Sequence, residues 1–350
     1  MTISLRAARF PPIVVALGCA VIEAVLASAE PGKALASFFL GPFANLWSFM
    51  TLVNSAAPLL IAAIAASVAF RAGIFNLGGE GQAAVGLLAG SLTLAGLSGL
   101  PAPLAIPLAL SVSAIAGGLL ALVSALAERR FGASVLLTTF LFSQAALVVV
   151  DYLLGGPLRD PASNLLGMRP LPASHLFPRL VEGLPFSLAP LVALAVAILI
   201  IMLIKATRSG FELGLFGHSR RFALTQGLDP KLDLWPLLLS GCLYGVAGCF
   251  VILGSSGQAV QGMSAGLGWN GLAVSLVAAT DPLFAIPATL FFAFLDAGAR
   301  SASILSDLSP ETAAIMKALV LLFVTARVEV DSPSGRRKAL SRAGRSGGET

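Results

Sequence analysis

Residues 70–82 read Phe-Arg-Ala-Gly-Ile-Phe-Asn-Leu-Gly-Gly-Glu-Gly-Gln, which sets Asn76, Glu80 and Gln82 in an apolar neighbourhood. Amide and carboxylate groups are costly against hydrocarbon, so these three must meet other polar groups, water or a polar solute. Glycines at 73, 78, 79 and 81 disfavour a regular helix and permit a broken helix or close backbone approach. Two readings stay open. The segment, with Phe75, faces a path for a polar solute, or its glycines let helices pack while its polar groups cap broken helix ends. Asn54, within the preceding apolar run, and Trp269 and Asn270, in the small-residue stretch at 266–276, are further candidates for a path or a helix interface. Trp269 also suits an interfacial belt.

A second kind of chemistry is suggested by residues 207–229. Phe211, Leu213, Phe216, Phe222, Ala223 and Leu224 alternate with Arg208, Glu212, Arg220 and Arg221, and Gly210, Gly217 and Gly227 punctuate them. The segment is too polar to enter lipid. A short amphipathic helix here can lie on headgroups or insert into a groove on a cytosolic partner.

Other chemistry has no visible residues. There is no GxxxxGK[ST] loop for nucleotide hydrolysis, and no HExxH set for metal-assisted hydrolysis. His175 and His218 fall in polar segments expected on opposite faces. Cys19, Cys242 and Cys249 sit in apolar stretches, without His neighbours, as small core residues. Asp296 could pair with Lys317 between helices; a proton relay would need a second buried acid at helical spacing, and none is evident.

The elements that position these residues follow from composition. Of 350 residues, 57% are hydrophobic and 11% charged, against about 25% charged in soluble domains. The fold class is therefore an all-α membrane protein. Apolar runs suggest about ten spans, at roughly 11–29, 51–70, 75–99, 103–127, 133–155, 185–205, 236–254, 268–281, 282–300 and 313–327. Together they make one transmembrane domain over residues 1–330, with 206–235 as an inner segment and 331–350 as a disordered basic tail. The eighth run is short and the ninth begins at Asp281-Pro282, so a tight hairpin or re-entrant pieces are expected there. Arg71, Arg129, Arg130, Lys205, Arg208, Arg220, Arg221 and the basic tail all fall on one side. The positive-inside rule makes that side, and both termini, cytoplasmic. This sorting by side explains the net charge of +5 without nucleic acid. It puts the proline-rich residues 156–184 outside. A signal-peptide reading of the start, cleaved near Ala27-Ser28-Ala29, would leave nine spans.

Four stretches in order resemble the permease subunits of bacterial ATP-binding-cassette importers for simple sugars and nucleosides, the branch served by basic membrane lipoproteins. Residues 71–82 are similar to that family's R-A-G-x-F-N-[IL]-G-x-E-G-Q. Gly156, Pro157, Leu158, Arg159, Asp160 and Pro161 are similar to its G-P-L-[KR]-D-P. Thr207, Gly210, Phe211, Glu212, Leu213, Gly217, Ala223 and Gly227 fit T-x-x-G-[FY]-E-L followed by spaced Gly and Ala. Residues 266–274 fit G-x-G-[YW]-[DN]-G-[IL]-A-V. The chain departs from the pattern at Ala133-Ser134, Thr139 to Ser143, Gly214 to Phe216 and Ser219-Arg220, which bears on solute identity and on the partner. The resemblance implies a type II importer-like permease fold in the inner (plasma) membrane. It implies ATPase subunits that use ATP and Mg, a second permease subunit (the same chain or another), a periplasmic or lipid-anchored solute-binding protein and a small polar solute. It implies no cofactor on this chain and no catalysis by it. It makes Gly210, Phe211, Glu212, Leu213, Gly217, Ala223 and Gly227 the ATPase-coupling residues. An ion-coupled secondary transporter is the competing reading, and would show inverted repeats and buried ionisable residues at the midplane.

Overall fold

A computed structural model of the chain describes residues 25–227 and 234–312, with isolated positions at 18, 21, 22, 314, 315 and 318. Most of the expected 11–29 stretch, nearly all of 313–327 and the tail at 331–350 lie outside the described residues. What is described is helical, with no strand and only two isolated bridges. Two compact units are distinguished: residues 50–293, and residues 1–49 with 294–350.

In the larger unit, α2 (Leu46–Arg71) enters from the other unit and carries Pro58 inside it. Then come α3 (Gly79–Gly96), α4 (Ala102–Phe131), α5 (Val135–Gly155) and α6 (Ala189–Ala206). Two short helices follow, α7 (Arg208–His218) and α8 (Arg220–Thr225). The unit continues through α9 (Leu234–Val251), α10 (Leu267–Val277) and the start of α11 (Pro282–Leu305). The boundaries have local causes. Pro103 in its first turn suits the start of α4, and Gly132, left-handed at φ +67°, closes its end. The end of α9 widens into a π-helical turn, Ile252–Ser256, which Gly257 terminates at φ +60°.

Packing sorts the helices into an inner and an outer set. Along α2, residues 59–66, 68 and 69 are all buried and apolar, and a helix apolar all round belongs in an interior. α9 packs chiefly on α4 and α3, and α3 also meets α4, α5 and α10. The outer faces of α4, α5 and α6 expose Ile115, Leu119, Leu141, Val148, Leu199 and Met202. Exposed apolar surface on this scale requires a non-aqueous solvent.

Among the described residues, six helices are long and apolar enough to cross a membrane: α2, α4, α5, α6, α9 with its π turn, and α11. Two other expected spans take a different form. The third begins at Gly79, because residues 72–78 form a turn, and its 18 residues include Glu80, Gln82 and five glycines. The eighth is an 11-residue helix, α10, too short to span.

In the smaller unit, α1 (Pro31–Leu40), not anticipated from sequence, is followed by a 3-10 turn at Gly41–Phe43. Phe39, Phe43 and Phe294 form an aromatic cluster with centroids 5.7 to 6.5 Å apart. Gly298 lets the Phe38 carbonyl approach to where a Cβ would be only 2.5 Å away.

Close backbone approach is the recurrent device of the larger unit. A Cβ on Gly86 of α3 would stand 2.2 Å from the carbonyl oxygen of Gly245 on α9. Gly96 at the end of the same helix faces nothing within 4 Å. Gly86→Ala is therefore expected to destabilise the protein by about 1–3 kcal/mol through overpacking. Gly96→Ala should be neutral or stabilising by about 0.4–1 kcal/mol. Thermal unfolding of both variants in detergent checks the opposite signs.

Candidate functional site

The turn at residues 72–78 is held by its own polar groups. Asn76 is fully buried. Its Nδ2 donates to Gln82 Oε1 (3.0 Å) and to Ser240 Oγ on α9 (3.1 Å), and its Oδ1 accepts from the Gly78 N–H (2.9 Å) and Gln82 Nε2 (3.2 Å). Thr139 of α5 accepts from the Leu77 N–H (3.2 Å), and Ser143, one turn on, from the Gly81 N–H (2.7 Å). These partners satisfy backbone groups that a regular helix would have paired internally.

Glu80 closes a second break. Its carboxylate accepts from the backbone N–H groups of Gly266 (2.6 Å), Gly268 (2.8 Å) and Trp269 (3.4 Å), at the start of α10. Helix starts leave such N–H groups unpaired and favour negative charge. The approach is tight: a Cβ on Gly268 would lie 2.2 Å from the Glu80 backbone nitrogen. The ring of Tyr244 covers Gly79, and its buried hydroxyl has no hydrogen-bond partner among the described residues.

The seven path candidates thus separate. Asn76, Glu80 and Gln82 are buried and bond to one another, to backbone, or to Ser240 on α9. Asn54 does the same further along α2: its Nδ2 donates to the Gly254 carbonyl in the π turn (2.6 Å), and its Oδ1 accepts from Ser187 Oγ (2.6 Å) and N–H (3.2 Å). Phe75 and Trp269 are 52% and 44% exposed, Asn270 is half-buried, and Trp269 meets Phe140 of α5 edge-on at 6.3 Å. Exposed groups are the ones free to meet a solute or a partner helix. Sequence reasoning marked Thr139 to Ser143 only as a departure from the family pattern, not as partners of the turn, and missed Ser187, Ser240 and Tyr244. Thr139–Ser143 and Ser240–Tyr244 are spaced i, i+4, which puts each pair on one helix face.

Residues 156–188 pack on the loop after the π turn. Met168 N–H donates to the Ala259 carbonyl (2.9 Å), Leu171 N–H to Gly257 (2.7 Å), and Gln258 Nε2 to Met168 (2.8 Å). His175 is buried there, its Nε2 3.0 Å from the Leu100 carbonyl oxygen. His218 ends α7.

The segment at 207–227 folds as two helices. Thr207 caps α7, accepting from the Gly210 N–H (3.2 Å), and Arg208 pairs with Glu212 at 2.8 Å one turn apart. Leu213, Phe216 and Ala223 are buried, while Phe211 and Phe222 are 70% and 51% exposed. Gly210 lies against the Ile204 carbonyl, and Gly227 ends the described part at φ +79°. Gly217 lies so close to the end of α2 that a Cβ would stand 2.0 Å from the Arg71 carbonyl oxygen. The Cα of Gly217 is 3.3 Å from where a Cβ on Gly73 would be. α7 therefore rests on the first residues of the glycine-rich turn. Beside that contact a cavity of about 530 Å³ opens between the turn, the ends of α4 and α5, and Phe216, Gly217, Leu234 and Leu237.

Glu80→Ala should strand three N–H groups and cost about 1–3 kcal/mol. Glu80→Gln keeps one acceptor oxygen and should cost less. Tyr244→Phe removes a buried unpaired hydroxyl and should raise stability by about 1 kcal/mol. Thermal unfolding of the three variants tests the order Tyr244→Phe, wild type, Glu80→Gln, Glu80→Ala.

Comparisons with known proteins agree with this architecture. The family model described as branched-chain amino acid transport system / permease component matches residues 48–325. The chain is 31% identical to the "Probable riboflavin import permease protein RfuC" of Treponema pallidum, over 93% of this chain and 88% of that one. It is 27% identical to the guanosine ABC transporter permease protein NupP of Bacillus subtilis, over 93% and 94%. It is 26% identical to the glucose ABC transporter permease protein TsgB13 of Haloferax volcanii, over 89% and 85%. No solved structure matches. The match over most of the chain, on a fold with six membrane-length apolar helices, makes this a multi-pass inner-membrane protein: it belongs to the permease-component family of ATP-binding-cassette transporters.

Proposed function

We propose that this permease moves a nucleoside or a simple sugar inward, and that α7 and α8 are where partner ATPase subunits grip it. The observation that carries the second part is the contact of Gly217 with residues 71–73. It gives a push on α7 a direct mechanical route into the turn that Asn76 and Glu80 brace. Phe211 and Phe222 supply exposed aromatic surface on the same segment, of the kind that anchors a helix in a partner's groove.

In this reading the chain crosses about ten times with both termini inside, so that α7 is cytoplasmic and residues 156–188 face the solute-binding protein. A second permease subunit, a copy or a relative, completes the path. The exposed Phe75, Trp269 and Asn270 face that path or its partner helix, and Asn54, Asn76, Glu80 and Gln82 hold its wall in shape. ATP and Mg act on the partner subunits. Nucleotide-driven closure works by the difference in binding free energy between two states of the permease, as any ligand-driven switch must. The relatives' names span riboflavin, guanosine and glucose, all small polar solutes, and a nucleoside joins a heterocycle and a sugar in one molecule.

Thermal shift of the purified cognate binding protein against nucleosides, pentoses, glucose and riboflavin identifies the solute class. A shift with a nucleoside or sugar alone is expected; a shift with riboflavin alone would overturn that assignment. In vesicles, uptake should require the ATPase. Uptake driven by a proton gradient without it would contradict the importer reading. Phe211→Ala with Phe222→Ala should leave the permease inserted but lower ATPase co-purification at least tenfold, and Glu212→Ala should hydrolyse ATP without matching transport. Normal transport by both would rule out this segment as the contact.

A further inference from the structure

The helix α10 is held at both ends, and the second hold lies beside the coupling segment. After α10 the chain turns into α11 through Ala279 and Thr280, at φ +52° and +61°. They are the only residues other than glycine with positive φ among those described. Side chains avoid that region because Cβ crowds the following carbonyl, so surrounding contacts must enforce it. The turn is tied by three backbone hydrogen bonds: Ala279 N–H to the Leu276 carbonyl (3.0 Å), Thr280 N–H to Ser275 (2.8 Å) and Asp281 N–H to Ala278 (3.1 Å).

Asp281, the next residue, is the anchor. Lys205 Nζ lies 3.0 Å from each of its two carboxylate oxygens. One of those oxygens also accepts from the Leu283 N–H (2.9 Å), capping α11. Arg71 is its other cationic neighbour. Burial by itself would raise the Asp281 carboxyl; the Leu283 N–H, Lys205 and Arg71 outweigh that and hold it below its ordinary value, charged at neutral pH. Both cations flank α7. Lys205 sits two residues before the Thr207 cap, and the carbonyl of Arg71 is the atom on which Gly217 rests.

We propose that Asp281 is a positioning residue for transport: its ion pair with Lys205, next to the strained Ala279–Thr280 turn, latches the α10–α11 hairpin to the root of the coupling segment. A displacement of α7 then reaches α10 from its C-terminal end as well as through Glu80 at its N-terminal end. A solvent-accessible ion pair is a weak source of stability, and that suits a latch, which must open within each cycle. The strained turn supplies a second conformation to move into. The inference rests on the reading of α7 as the ATPase contact.

The test uses the assembled transporter in proteoliposomes, and reads the stimulation of ATP hydrolysis by purified solute-loaded cognate binding protein. Asp281→Asn retains an N-cap acceptor and removes the charge. It should cut stimulation at least tenfold with the ATPase still bound, as should Lys205→Gln. The exchanged pair, Lys205→Asp with Asp281→Lys, should recover at least half of it. Replacing Ala279 and Thr280 by glycine should raise thermal stability and lower stimulation at least twofold. Stimulation within twofold of wild type in Asp281→Asn would overturn the latch. So would failure of the exchanged pair when both single variants are impaired, because Asp281 would then act through its cap on α11. Phe211→Ala with Phe222→Ala in the same membranes separates the two readings. Normal ATPase binding there removes α7 as the contact, whereas lost binding there with full stimulation in Asp281→Asn removes only the latch.

Discussion

A backbone N–H at a helix start has no partner within its own helix, and three such groups at the start of α10 are met by one carboxylate. Much of the larger unit follows from that constraint. Glu80 reaches α10 from the first turn of α3, which begins at Gly79 after the chain turns at 72–78. The turn then frees backbone groups of its own, which Asn76, Thr139 and Ser143 take up. Glycine is required at 268 because the two backbones nearly touch. One broken helix obliges another, and the polar residues that look out of place in an apolar sequence are what keep both breaks closed.

The same turn joins two regions that the chain separates widely. Its first residues bear on Gly217 of α7, Asn76 reaches Ser240 of α9, and Glu80, just beyond it in α3, reaches α10. A half-broken helix deforms at its break more readily than a continuous one, since fewer backbone hydrogen bonds lie in the way. The polar network therefore has two properties at once. It is satisfied, hence ordered, and it is concentrated where a small shift of α7 would be felt. Phe211 and Phe222 are exposed on the segment that follows α6, and the exposed Phe75 lies in the turn itself.

Much of the architecture was legible before any coordinates. Long apolar runs mark α2, α4, α5, α6, α9 and α11 because hydrophobicity alone decides a lipid-facing or buried helix. The turn at 72–78 was legible from its glycines, and the amphipathic segment from its charges. What could not be read was which groups meet. Glu80 bonds to residues 186 and more positions away, and nothing local distinguishes a carboxylate that caps a distant helix from one that touches solute. Ser240 and Tyr244 look like ordinary members of an apolar run. α1 was missed because Pro31, Gly32 and Lys33 open it, and the left-handed Ala279–Thr280 turn has none of the glycine or asparagine that normally announces one.

In the proposed mechanism α7, the turn at 72–78 and the start of α10 move as one mechanical unit. Hydrogen–deuterium exchange of the assembled transporter, with and without ATP trapped on the partner subunits, measures it directly. Amide protection at 208–218, 71–82 and 266–269 is predicted to change together, while the interior of α2 stays protected in both states. A change confined to 208–218, with the turn and the α10 start unaltered, would contradict the account.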